Sequence, residues 1–531
     1  MTEPTASTDE APTRIAAGYQ VSGPALRLGA VMHDGNVFSS AQVQIPLGMM
    51  NRHGLIAGAT GTGKTKTLQV IAEQLSDAGV PVFAADIKSD LSGLAQAGVA
   101  NDKITERSTA IGDDWKATAY PVEFLSLGTD KADGIPLRAT ITSFGPVLLS
   151  KVMGLNETQE SCLQLVFHWA DQRALPLLDL KDLKAVVAYL SSTEGKSELD
   201  SIGGVSKATA GVILRGLTTL EAGGMDQFFG ETEFDSHDLM RTAPDGKGII
   251  SLVELSKVQD KPELFSTFLM WLLADLYHDL PEVGDTDKPK LVFFFDEAHL
   301  LFKDATKGFL DAVAQTVRLV RSKGVGIFFC TQRPTDLPDE VLAQLGNRIQ
   351  HALRAFTPDD ATALSKTVKT YPKTADYDLE QVLTQLGTGE AVVTVMSDRG
   401  APTPVAWTRV PAPRSAMAPC DAPSYGQIVR SSSLMSKYGD PIDRDSAYEQ
   451  LGRRTQEAAA QVEQEQVAKQ QQTQASAQRQ SAPAREPAAR RVKSEPSGFE
   501  KFMGNSTVKQ FMRSAASSIA RDLFGTARKR R

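Results

Sequence analysis

The ten residues "GATGTGKTKT", 58 to 67, constrain the fold more than any other stretch. They satisfy G-x-x-x-x-G-K-[ST] with Gly58, Gly63, Lys64 and Thr65, a pattern that chance places in a chain of this size roughly 2% of the time. An apolar strand-like run, "HGLIAG", precedes them, and "KTKTLQVIAEQLSDAG" follows with helical spacing closed by Gly79. Strand, glycine-rich loop and helix in that order form a P-loop, which commits the surrounding chain to an α/β architecture. Glycines let successive backbone N–H groups turn toward phosphate oxygens, and the helix N-terminus adds partial positive charge. The segment Gly58, Ala59, Thr60, Gly61, Thr62, Gly63, Lys64, Thr65 and Lys66 is therefore the expected nucleotide cradle. Lys64 is expected at the β- and γ-phosphates of ATP, and the Thr65 hydroxyl on Mg²⁺.

A second station lies more than two hundred residues on. In "KPKLVFFFDEAHLLF" five apolar residues, Leu291 to Phe295, run directly into Asp296 and Glu297. A buried strand ending in Asp-Glu suits the other half of such a site. Asp296 would hold Mg²⁺ through water, and Glu297 would polarise the attacking water. Alone, "DEAH" reads equally as an acidic helix cap after a strand. "VGIFFCTQRPTDLP" supplies another strand ending, Thr331 and Gln332, and strand ends of a parallel sheet face the ligand crevice. Gln332 is a candidate for the γ-phosphate or the lytic water, against a polar strand end with no task. Asp86, closing "VPVFAAD", is a candidate for orienting the magnesium water shell, with Lys88 beside it. Arg348 and Arg354 in "LGNRIQHALRAF" offer the positive charge that phosphoryl transfer takes in trans, Arg348 being preferred. A surface arginine is the alternative.

The chain of 531 residues exceeds one ordinary core. Residues 1–14 are polar and read as a disordered leader. Residues 15–50 read as a small β-rich segment, and 51–411 as a RecA-like core of mainly parallel strands. The core's strand runs are "HGLIAGA", "VPVFAADI", "PVEFLSL", "KGIISLVEL", "KLVFFFDEA", "VGIFFCTQ", "RIQHALRAF" and "EAVVTVM". Between about 144 and 229 helical spacing replaces them, which suggests a helical insertion. Residues 412–500 read as linker and Gln/Ala-rich low complexity, disordered or loosely helical. Residues 501–531 read as one basic amphipathic helix, with Val508, Phe511, Met512, Ala515, Ile519 and Leu523 on a face opposite Lys509, Arg513 and Arg521.

Charge is divided unevenly. From Arg485 to Arg531 there are 12 Lys/Arg against 4 Asp/Glu, so a net charge of −7 leaves about −15 on the remainder. A basic tail on an acidic body suits nucleic acid, an anionic membrane, a nuclease or other protein partner, or simple solvation. Three well-separated cysteines, Cys162, Cys330 and Cys420, exclude a disulfide framework and fit a reducing cytoplasm. No run reaches the ~18 apolar residues of a membrane span.

Taken jointly, "NRHGLIAGATGTGKTKTLQ", "ADIKSDLSGLA", "LVFFFDEAHLLF", "TQRPTDLPDEVLAQLGNRIQHALRAF" and "KYGDPIDRDSAYEQL" resemble the HerA/FtsK class of P-loop ATPases, in particular bacterial HerA-like helicase proteins. The resemblance covers roughly residues 15 to 451. It implies a RecA-like core, a hexameric ring with ATP at subunit boundaries, and a channel for double-stranded DNA. It also implies the roles given above for Lys64, Thr65, Asp296, Glu297, Gln332 and Arg348. A motor for a protein substrate or secretion system and a nucleotide-gated binding module are the competing readings.

Overall fold

The computed structural model describes residues 10–128, 130–199, 203–256, 261–284, 286–302 and 307–480. The expected basic helix at 501–531 and the first nine residues of the leader lie outside them. The chain divides into two compact units, Met1–Gln164 with Arg215–Asp443, and Leu165–Leu214 with Arg444–Arg531.

The first unit is built on one twelve-stranded sheet. Its strands are β1 (Ala25–His33), β2 (Asn36–Pro46), β3 (Gly54–Ala57), β4 (Val82–Asp86), β5 (Val122–Ser126) and β6 (Ile135–Pro136). They continue with β7 (Ile250–Glu254), β8 (Leu291–Phe295), β9 (Val325–Thr331), β10 (Asn347–Gln350), β11 (Glu390–Thr394) and β12 (Ala406–Arg409). The order is β2-β1-β12-β11-β10-β3-β9-β8-β4-β7-β5-β6. From β10 to β6 every neighbouring pair is parallel. From β10 through β11, β12 and β1 to β2 every pair is antiparallel. The fold is α/β, and all eight strand runs legible in the sequence enter the sheet.

Burial of both faces explains the apolar runs. All five residues of β8 are buried. Val292 and Phe294 join the cluster beneath the helix Lys64–Asp77, with Ile56, Leu68, Ile71, Phe328 and Ile349. Their alternates point to the opposite face. There Phe293 lies 4.9 Å from Phe83, which is 6.2 Å from Phe268 in the helix Pro262–Asp279. The hairpin β1–β2 turns on Asp34 and Gly35, both at positive φ (47° and 77°), the pair a tight two-residue turn favours.

Two boundaries differ from expectation. Residues 10–14 belong to the helix Glu10–Ala17, anchored because Ile15 and Tyr19 enter the core and the Tyr19 hydroxyl donates to the Val393 carbonyl at 2.8 Å. Residues 412–443 are no free linker. Glu73 accepts the N–H groups of Arg414 and Ser415, each at 2.9 Å, and Gln69 donates to the Ala416 carbonyl. The helices Ala422–Ser431 and Ser433–Tyr438 then bury Val429, Leu434 and Tyr438.

Between β6 and β7 the chain runs through helices Ile141–Val152, Glu157–Gln172, Leu180–Leu190, Thr193–Leu199 and Lys207–Ala222. In the second unit, buried Asp182 accepts from the Ser446 hydroxyl and the Tyr448 N–H, tying Leu180–Leu190 to the start of the helix Ala447–Gln480. That 34-residue helix takes up residues 447–480 of the region 412–500 expected as linker and low complexity. Ala, Gln and Glu favour helix, and no proline interrupts them. Among the described residues, no helix is long and apolar enough to cross a membrane.

Candidate functional site

The P-loop spans the end of β3 and the start of the helix Lys64–Asp77. Gly58, Gly61 and Gly63 have φ of 151°, 79° and 115°, backbone that a side chain rarely adopts. Neighbouring strand ends brace the loop. Gly58 N–H donates to the Thr331 carbonyl at 3.2 Å and Ala59 N–H to Ala352 at 2.8 Å, while the Thr62 carbonyl accepts from Gly389 at 2.9 Å. A Cβ at Gly61 would meet nothing within 4 Å among the described residues, so this part of the loop is uncrowded by them. At Gly58 a Cβ would lie 2.5 Å from that of His351. Gly58→Ala is therefore expected to deform the loop and weaken nucleotide binding about tenfold or more, since such strain costs on the order of 1–3 kcal/mol. Titration with a fluorescent nucleotide checks this, and unchanged affinity would contradict the brace.

His351, which the sequence did not single out, is the hub of that brace. Its Nδ1 lies 2.8 Å from the Glu390 carbonyl and its Nε2 2.9 Å from the Thr67 hydroxyl. Burial lowers its pKa from 6.5 to about 4. In the fold the ring thus stays neutral, while in the unfolded chain it binds a proton near 6.5. Its stabilising contribution is complete above pH 6.5 and is lost as the pH falls toward 4. The loss is about 3 kcal/mol across that window, at ~1.4 kcal/mol per unit. Denaturation at pH 7.5 and pH 5 should show wild type losing more stability than His351→Gln; equal losses would refute the assignment.

Only β9 separates β3 from β8, so their ends lie about 10 Å apart at ~4.8 Å per strand. Lys64 and the carboxylates of Asp296 and Glu297 consequently share one electrostatic environment. Burial lowers the Lys64 pKa, and Glu297 and then Asp296 push it back up. The Lys64 ammonium donates to the Ala59 carbonyl at 3.3 Å. Asp296 is 2% exposed; burial first, then Glu297, raises its pKa to about 6. Its Oδ1 accepts from the Glu297 N–H at 2.9 Å, whereas Oδ2 is buried with no hydrogen-bond partner among the described residues. Such an oxygen fits a hydrated cation. Glu297 has φ +46°, a strained conformation for a side-chain-bearing residue. Its Oε1 is ion-paired with the Lys88 ammonium, and its Oε2 lies 3.4 Å from His299 Nδ1.

The remaining candidates are placed as follows. Thr65 is half-buried in the first turn after the loop. Lys66 turns away, its ammonium donating to the Met417 carbonyl at 2.7 Å and to Gln69. Asp86 is fully buried, with its pKa raised to about 7 by burial and then by Glu254. Both its oxygens accept N–H groups of its own loop, from Lys88 and Leu91. Gln332 is exposed directly after Thr331, whose carbonyl touches the P-loop. Arg348 is not brought to the cluster. It lies in β10 opposite Leu55, with Nε and Nη1 each 3.4 Å from the carbonyls of Leu345 and Thr370. Arg354 is exposed, two residues beyond Ala352.

The family model described as helicase HerA-like C-terminal matches residues 33–531, and the chain belongs to that family. Over 154 residues it is 30% identical to a probable helicase of Methanocaldococcus jannaschii, a match covering 27% of this chain and 28% of that protein. Over 392 residues it is 21% identical to the DNA double-strand break repair helicase HerA of Sulfolobus acidocaldarius, covering 72% of this chain and 70% of the relative. Among solved structures, the bacterial conjugative coupling protein TrwBdeltaN70 in its unbound monoclinic form shares the fold. The TM-score is 0.50 at 14% identity, covering 77% of this chain and 94% of that one.

Proposed function

We propose that this member of the HerA-like family is an ATP-hydrolysing motor, a hexameric translocase or helicase acting on double-stranded DNA in the cytoplasm. The observation that carries the ATPase reading is the shared electrostatic environment of Lys64, which opens the helix after β3, and of Asp296 and Glu297, which follow β8. The P-loop amides and Lys64 would bind the triphosphate. Thr65 and the buried Oδ2 of Asp296, which has no hydrogen-bond partner among the described residues, would hold Mg²⁺, the latter through water. Bound there, Mg²⁺ would neutralise phosphate charge. Glu297 would take the proton of the attacking water, and Gln332 would orient that water. Arg348, bonded to the Leu345 and Thr370 carbonyls and not to its own P-loop cluster, would act on the site of a neighbouring protomer, which is why the ring is part of the proposal.

Support for DNA comes from the family and from the repair helicase it resembles. ATP turnover is the test, measured at low salt with duplex DNA, single strands and RNA. Duplex should stimulate it most, and added salt should abolish the stimulation as phosphate contacts are screened. Turnover indifferent to all three polynucleotides yet raised by a protein partner would replace the DNA motor with a protein-directed one.

A further inference from the structure

The loop after β4 is built to deliver one cation to the catalytic carboxylate. Asp86 fixes its two ends, Oδ1 accepting the Lys88 N–H at 3.1 Å and Oδ2 the Leu91 N–H at 2.7 Å. Between them Ser89 has φ +58°, and its hydroxyl donates to Glu254 Oε2 at 2.7 Å. The Ser92 hydroxyl donates to the Ser89 carbonyl at 2.8 Å. On this pinned loop stands Lys88, its side chain 45% exposed and its ammonium on Glu297 Oε1, a carboxylate whose side chain is 6% exposed. Lys88 also lies in the field of Asp296 and Asp90. The same two β8 carboxylates act on Lys64, so both lysines reach one site from different strands.

A carboxylate oxygen held by an ammonium cannot readily take a proton from water. A triphosphate arriving beside Lys64 brings several negative charges, enough to draw a half-exposed lysine from a single carboxylate. We propose that Lys88 is a positioning residue shared between Glu297 and the γ-phosphate. It pairs with Glu297 until a triphosphate claims it, and its transfer frees the base. A diphosphate, lacking the γ-phosphate, leaves the pair intact. The loop geometry thus gives Asp86 a role in aiming Lys88, distinct from the magnesium water shell.

This inference rests on the nucleotide site proposed above, and its test separates the two. Mg-ADP and a Mg-bound non-hydrolysable ATP analogue are titrated into the full chain as wild type, Lys88→Met and Lys88→Arg. A charge-assisted contact to the γ-phosphate predicts about tenfold or greater weakening of the analogue in Lys88→Met, with ADP changed less than about twofold. Lys88→Arg should restore much of the preference, because the cation is retained. Equal shifts for both nucleotides, or none, would reduce Lys88 to a structural partner of Glu297 and overturn the proposal. Wild type that fails to bind even ADP would instead overturn the site itself.

Discussion

Lys64→Ala is expected to weaken ATP binding at least about 10²-fold, the equivalent of about 2.7 kcal/mol and one or two charge-assisted hydrogen bonds. Three features of this lysine carry the expectation. It is 7% exposed, so water cannot substitute for it. Its ammonium is folded back on the Ala59 carbonyl within the loop, where a phosphate oxygen can take that carbonyl's place. Burial lowers its pKa, and Glu297 and then Asp296 oppose that shift. Removing it leaves two carboxylates facing the triphosphate with less positive charge between them, so repulsion adds to the lost contacts. Titration of the purified variant with a fluorescent ATP analogue checks this. Affinity within about threefold of wild type, where wild type binds measurably, would take the phosphate away from the P-loop.

Glu297→Gln should have the opposite signature. Glutamine keeps the size of the side chain and can occupy the same left-handed backbone at φ +46°, but it cannot accept the proton of the attacking water. ATP binding should persist while turnover falls about 10²-fold or more, the usual cost of losing a positioned base. Single-turnover hydrolysis with radiolabelled ATP separates the chemical step from product release. An unchanged chemical step would assign the base elsewhere and leave a nucleotide-gated module as the better description. Together the variants divide the site: one side chain for binding and one for chemistry.

Local patterns made part of this legible. Five consecutive apolar residues in β8 announce a strand covered on both faces, and the phosphate loop declares itself by glycines at fixed spacing. Helical periodicity likewise marked the stretch between Phe144 and Phe229. What escaped has a common physical character. Glu73 recruits Arg414 and Ser415 from more than 300 residues away through backbone N–H groups that leave no residue signature. Residues 412–421 therefore looked like linker although they are held on the phosphate-loop helix. His351 follows Gln350 between Arg348 and Arg354 with no spacing that marks it, and its bonds to Thr67 and Glu390 depend on which strands become neighbours. Lys88 and Glu297 lie 209 positions apart, so their pairing is a property of β4 lying beside β8. The Glu10–Ala17 helix is only eight residues long with Ile15 its one large apolar side chain, and Ile15 and Tyr19 fix it only through the sheet they reach. Periodicity reports how much of a segment is buried, but it is silent about which polar partner completes it.

The most direct measurement is a structure of the full chain with Mg²⁺ and a non-hydrolysable ATP analogue bound. The account predicts Lys64 within hydrogen-bond distance of the β- or γ-phosphate and Asp296 one water from the metal. Glu297 should face the γ-phosphate, and an arginine of a neighbouring protomer should reach the same phosphate. A nucleotide bound elsewhere, or a metal too far from Asp296 for one water to bridge, would contradict it.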